Sequence, residues 1–148
     1  MRIAFCSDEL TPVHEIIQEF LKALGHEVVA FGSVRTGREE AWALVAEEAA
    51  LAVASGQCDE GILCCWTGTG ISITANKVAG IRAALCGDPG TARGARVWNH
   101  ANIICLSNRT LSADMAQEIL TAWFEQVPGE NGAEGVAELM SIDRKHRR

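Results

Sequence analysis

The chain has 148 residues, 48% of them hydrophobic, and a formal net charge of −6 with histidine neutral. That length and apolar content fit one packed domain, residues 1–148, and exclude a disordered acidic tail. The negative balance argues against nucleic-acid binding, which needs clustered cations. No run reaches the roughly 18–20 apolar residues that span a bilayer, so no membrane partner is expected. The start turns polar at Ser7-Asp8-Glu9, too early for the core of a secretion signal.

Met1 to Phe5 reads as a buried strand, and Thr11-Pro12 opens a helix whose apolar face is Val13, Ile16, Ile17, Phe20, Leu21 and Leu24, ended by Gly25. His26 to Phe31 is a second strand stopped by Gly32, and Val34 to Glu39 is a loop. From Glu40 a helix carries Trp42, Val45, Ala49, Ala52 and Val53 and closes at Ser55-Gly56. Gly61 to Cys65 is a third strand, nearly all apolar, as expected where both sheet faces are covered. Thr67-Gly68-Thr69-Gly70 leads into a helix over Ile71 to Lys77.

Ile81 to Cys86 is a fourth strand, Pro89 to Val97 a helix, Ala101 to Leu106 a fifth strand and Leu111 to Val127 a helix. A turn-rich connector over Gly129–Gly135 precedes a short helix at Val136–Met140. The basic end from Arg144 to Arg148 reads as a solvated terminus, and the chain from about residue 141 as a mobile tail or an arm reaching a neighbouring subunit. Alternating strands and helices predict an α/β sandwich around a five-stranded parallel sheet. Ligands of such sheets sit beyond the carboxyl ends of the strands, where Cys6–Glu9, Cys65–Gly70 and Gly87–Pro89 fall.

The six cysteines, Cys6, Cys58, Cys64, Cys65, Cys86 and Cys105, form no CxxC pair. They read as reduced thiols of a cytoplasmic protein rather than zinc ligands or disulfides. Cys65 ends its strand just before the glycine loop, where backbone amides converge on one spot and hold an anion. It reads as a base or nucleophile, or as a buried thiol like Cys64; alternation along the strand sends the two side chains opposite ways. The glycine loop reads equally as a plain tight turn, and Asp8 as a ligand for sugar hydroxyls or a turn aspartate. Trp42 and Trp123 fit helix faces and are expected in the core; His14 and His26 are expected in solvent.

The segment from Gly61 to Cys86, GILCCWTGTGISITANKVAGIRAALC, resembles the core signature of the type B ribose-5-phosphate isomerases and galactose-6-phosphate isomerase subunits. Ser7-Asp8, Asp88-Pro89, Ala92-Arg93, Asn99 and Ala101-Asn102 extend the likeness over most of the chain to about Trp123. It implies a three-layer Rossmann-like sandwich and an aldose–ketose isomerase working through a cis-enediolate, with no metal and no other cofactor. The resemblance makes Cys65 the base, and Thr67 with the backbone of Gly68, Thr69 and Gly70 the cradle of the oxyanion. Asp8 binds substrate, Asn99 reaches across a subunit interface, and Arg109 helps to hold a phosphate. Homodimers or tetramers with shared active sites are implied.

The departures bear on the substrate. The family's Ser-Asp-His-Ala-Gly is Ser7-Asp8-Glu9-Leu10-Thr11 here, and its Cys-Gly-Thr-Gly is Cys65-Trp66-Thr67-Gly68. Trp98 stands in place of the ring-opening histidine, with His100 one place beyond Asn99. The stretch Asn131–Val136 holds Glu134 and none of the family's phosphate-clamping arginines, which leaves Arg144 or Arg147 to fold back. Trp66 and Trp98 read either as sugar contacts or as fillers of space at a loop or interface. The expected substrate is a sugar phosphate of the ribose 5-phosphate type; a different or unphosphorylated sugar, or sugar binding without catalysis, is the alternative.

Overall fold

A computed structural model describes residues 1–147. Five parallel strands form one sheet in the order β2-β1-β3-β5-β4: β1 (Arg2–Ser7), β2 (Glu27–Gly32), β3 (Glu60–Cys65), β4 (Ala83–Leu85) and β5 (Ile103–Ser107). The helices are α1 (Pro12–Ala23), α2 (Ser33–Thr36), α3 (Trp42–Ala54), α4 (Thr69–Ala75), α5 (Pro89–Asn99), α6 (Ala113–Glu125) and α7 (Ala133–His146). The expected α/β sandwich with a five-stranded parallel sheet is the architecture found.

Strand alternation divides the core in two. Ile3, Phe5, Ile62, Cys64, Ile104 and Leu106 face a layer that includes Ile17 and Leu21 of α1 and Ile119, Leu120 and Trp123 of α6. Ala4, Cys6, Leu63, Cys65, Ile103 and Cys105 face α3 and α4 through Val45, Ala49, Ala52 and Ile71. Both faces are thus covered, which is why β3 can be buried along its whole length. The chain leaves β1 for one side of the sheet through β2 and returns to the other side at β3. The crevice beyond the ends of β1 and β3 is therefore the switch point of the strand order.

Helix starts follow their local chemistry. Pro12 occupies the first turn of α1. The Asp88 side chain accepts the Thr91 N–H at 2.7 Å to open α5, and the Ser112 hydroxyl accepts the Met115 N–H at 3.1 Å to open α6.

Several expectations are corrected. The loop expected over Val34–Glu39 begins with a one-turn helix, α2, ended by Gly37 at φ 76°. The strand expected over Ile81–Cys86 is only three residues long. Before it, the Arg82 N–H bonds Asn102 Oδ1 instead of a strand, while the Asn76 carboxamide takes up the free edge of Ala83 on both its N–H and its carbonyl. The last helix is not confined to Val136–Met140 but runs on to His146. Arg144, Lys145 and His146 form its final turn, where cations offset the helix dipole. Arg147 bonds Asp143 and the Lys77 carbonyl instead of standing free in solvent; Arg148 lies outside the described residues.

A further correction is His14, which is buried rather than solvated. Its Nδ1 accepts the Thr11 N–H at 3.0 Å, so the ring proton sits on Nε2, which donates to Asn108 Oδ1 at 2.9 Å. His26 is half-buried, stacked on Phe124 with ring centroids 4.5 Å apart.

Candidate active site

The end of β3 sets the site. Cys64 points into the α1/α6 layer and is fully buried; burial pushes its thiol well above the ordinary range. Cys65, on the opposite face, is 5% exposed and borders a cavity of about 270 Å³ shared with Asp8, Trp42, Trp66, Thr67, Thr69 and Gly70. After Cys65 the chain turns sharply. Gly68 takes φ 76°, and its N–H comes back to Cys65 Sγ at 3.2 Å. A side chain at Gly68 has no room: its Cβ would lie 2.6 Å from Leu85 Cδ1 and 3.1 Å from the Leu106 backbone.

The first amides of α4 follow immediately, and a helix start leaves such N–H groups without partners in the helix itself. Thr67 Oγ1 and Thr69 Oγ1 share a hydrogen bond of 2.7 Å at this rim. The loop after β5 holds the turn from behind. The Asn108 N–H donates to the Cys65 carbonyl at 2.9 Å, the Arg109 N–H to the Trp66 carbonyl at 3.0 Å, and the Ser107 hydroxyl to the same Trp66 oxygen at 2.9 Å.

Asp8 enters from the end of β1. Its Oδ1 is buried and has no hydrogen-bond partner among the described residues. Burial raises the Asp8 pKa, and the nearby Glu9 and then Glu39 carboxylates add to the rise. A buried acceptor without a partner costs about 1–3 kcal/mol, a debt that a hydroxyl group in the cavity would remove. Thiol, carboxylate, hydroxyls and convergent amides in one small crevice suit proton transfer beside a carbonyl, with the amides placed for the oxygen that gains charge.

Trp42 overturns its expected place in the core. It is 49% exposed and its indole lies over the glycine loop, so that a Cβ on Gly70 would come within 2.9 Å of Trp42 Cε3. As the first residue of α3, it stands at the carboxyl end of the sheet, where crossover helices begin. Helical spacing alone missed it; its place at the very start of its helix was the available signal. Trp123 is fully buried as expected. Asn108 and Ser107 were also missed, since their contribution lies in contacts between strand ends.

Within one chain, Trp98 and Asn99 are not among the residues that line the Cys65 cavity. Trp98 is 59% exposed near the end of α5. Asn99 borders a separate cavity of about 380 Å³ with Arg82, Leu139, Met140 and Asp143. Trp66, 57% exposed, lines the Cys65 cavity, whereas the exposed Arg109 is joined to the site through its backbone N–H on the Trp66 carbonyl. His100 bonds the Asn131 carbonyl at 2.9 Å, so among the described residues no imidazole lines the Cys65 cavity.

Comparison with known proteins places this architecture. A family model described as ribose/galactose isomerase matches residues 3–139. The chain is 36% identical over 147 residues to ribose-5-phosphate isomerase B of Escherichia coli, covering 97% of each protein. It is 39% identical over 109 residues to D-erythrulose-4-phosphate isomerase of Pectobacterium atrosepticum, covering 74% of this chain and 72% of that one. The solved structure of ribose-5-phosphate isomerase B from Clostridium thermocellum superposes with a TM-score of 0.92 at 38% identity, covering 99% of this chain and 100% of that one. The chain belongs to the ribose/galactose isomerase family, a class of sugar-phosphate isomerases with a Rossmann-like fold, as its central motif implies.

Proposed function

We propose that this protein interconverts an aldose phosphate and its ketose through a cis-enediolate, with the Cys65 thiolate as the base. The observation that carries the reading is that Cys65, Asp8 with its partnerless Oδ1, and Thr67, Thr69 and Gly70 of the loop into α4 line the same cavity. The thiolate takes the proton from the carbon beside the carbonyl. The C–H electron pair becomes the carbon–carbon double bond, and the carbonyl oxygen takes the negative charge, held by the amides of Thr69 and Gly70 and by the Thr67 hydroxyl, while the Gly68 N–H stays on the Cys65 sulfur. The thiol then returns the proton to the neighbouring carbon, and the hydroxyl proton passes between the two oxygens. Asp8 accepts a hydrogen bond from a substrate hydroxyl. Trp66 and Trp42 present apolar faces to the carbon skeleton.

Ribose 5-phosphate is the first substrate to test, since the Escherichia coli and Clostridium thermocellum relatives bear that name. A shorter substrate is favoured by Trp98, which stands where the family's ring-opening histidine does. A tetrose 4-phosphate has its terminal oxygen esterified and closes no five-membered ring, so it needs no ring-opening group. The Pectobacterium relative is named for a substrate of this kind. Arg109 is the cation assigned to the phosphate; Arg147 is taken up by Asp143 and Lys77. We assign Trp98 and Asn99 to the cavity of a second copy of the chain.

The experiment is incubation with D-ribose 5-phosphate and D-erythrose 4-phosphate in heavy water, following deuterium at the carbon beside the carbonyl by NMR. Cys65→Ala is expected to slow exchange by about 10²–10⁴-fold, the usual contribution of a positioned base, with an unchanged melting temperature. Undiminished exchange in that variant ends the cysteine mechanism.

A further inference from the structure

We propose that Asn108 is a positioning residue that fixes the Asp8 carboxylate for substrate by binding the residues on either side of it. This rests on the reading of Asp8 as a substrate ligand. The Asn108 side-chain amide points its Nδ2 at Ser7 Oγ, 3.2 Å away, and at Glu9 Oε1, 3.4 Å away. Ser7 and Glu9 flank Asp8, and the Glu9 N–H also bonds Ser7 Oγ at 3.3 Å.

The orientation of the carboxamide is determined by its third contact. His14 receives a backbone N–H on Nδ1, so its Nε2 must donate, and the group facing it must be the Asn108 oxygen. The two amide hydrogens are therefore turned toward Ser7 and Glu9. The backbone N–H of Asn108 meanwhile donates to the Cys65 carbonyl. One residue thus ties the end of β1, the start of α1 and the end of β3 together across the switch point. No contact to Asp8 itself is made, so its Oδ1 stays free for a ligand.

The charged and titratable groups around this link are Glu9 and His14, which Asn108 touches, together with Asp8 and Glu39. An aspartate at position 108 separates the two halves of the link. It still accepts from His14 Nε2, but it offers no hydrogen to Ser7 and sets a second carboxylate against Glu9.

The test is calorimetric titration of wild type, Asn108→Ala and Asn108→Asp with 4-phospho-D-erythronate, whose carboxylate mimics an enediolate. It is run from about pH 8 to pH 5 with melting temperatures alongside. Both variants are expected to bind about tenfold more weakly at the alkaline end, the size of one lost hydrogen bond. Asn108→Asp should melt closer to wild type than Asn108→Ala does. Its affinity should also recover on acidification, when a proton shared between the new carboxylate and Glu9 restores a donor; wild type should show no such recovery.

Affinity of Asn108→Asp within about twofold of wild type throughout overturns the proposal. So does a loss that merely follows melting temperature in both variants, with no recovery in acid. If wild type does not bind the aldonate, the proposed function fails, and the inference with it. If wild type binds but the aspartate variant shows no such signature, only the role of Asn108 fails.

Discussion

Gly68 carries the largest geometric demand of any single residue at the site. Its φ of 76° and the crowding by Leu85 and Leu106 leave no place for a methyl group. Gly68→Ala is expected to cost about 1–3 kcal/mol of stability, as backbone held in a sparsely populated conformation does. It should also displace the amide that faces Cys65 Sγ. Urea denaturation and the heavy-water exchange rate check both effects, and exchange should fall even at low temperature where the variant is folded. The orientation of Cys65 was legible beforehand because a strand has a strict two-residue period, so Cys64 and Cys65 had to part. Trp42 was not, because a helical period says which residues share a face but not whether the end of that face extends past the sheet. The Asn108 link was invisible for a related reason: it joins residues about a hundred positions apart in sequence.

At the scale of elements, α1 depends on an uncharged imidazole. Burial holds the His14 pKa below its ordinary 6.5, although the bond to Asn108 and the Glu9 charge oppose the shift. The unfolded chain therefore takes up a proton before the folded one does. The contribution to stability is complete above 6.5, declines as pH falls below it, and levels off once the folded-state value is passed. Urea midpoints at pH 7.5 and pH 5 should show this loss, and His14→Gln should reduce the difference between them by removing the titrating group. The sequence suggested a solvated histidine because position 14 lies in the polar first turn of the helix. What it did not display is that the loop after β5 closes over that turn. The ends of α7 were hidden for another reason: its fourteen residues bury no side chain fully, and the periodicity used to find helices is weakest there.

For the whole molecule, the separation of Trp98 and Asn99 from Cys65 within one chain gives the sharing of sites a direct test. Cys65→Ala and Asn99→Ala should each be inactive alone. When mixed and allowed to exchange subunits, they should regain about one quarter of wild-type activity, because half of the assemblies are mixed dimers and each has one intact site of two. Analytical ultracentrifugation of the same mixture supplies the assembly state. No recovery despite confirmed exchange would place Asn99 outside a neighbour's site.

The Glu60 carboxylate, at the opposite end of β3 from Cys65, takes Arg96 Nη2 at 2.8 Å and the Trp123 indole N–H at 2.8 Å. The Arg96 guanidinium in turn lies over the Trp123 ring, 4.7 Å from its centroid. Five residues of extended strand keep this buried clasp about 17 Å from the thiol. The sheet is fastened at its foot, at the end away from the proposed site. Substrate preference should therefore be open to redrawing at Trp42 and Trp66 by directed evolution, without touching the residues that lock the strands together.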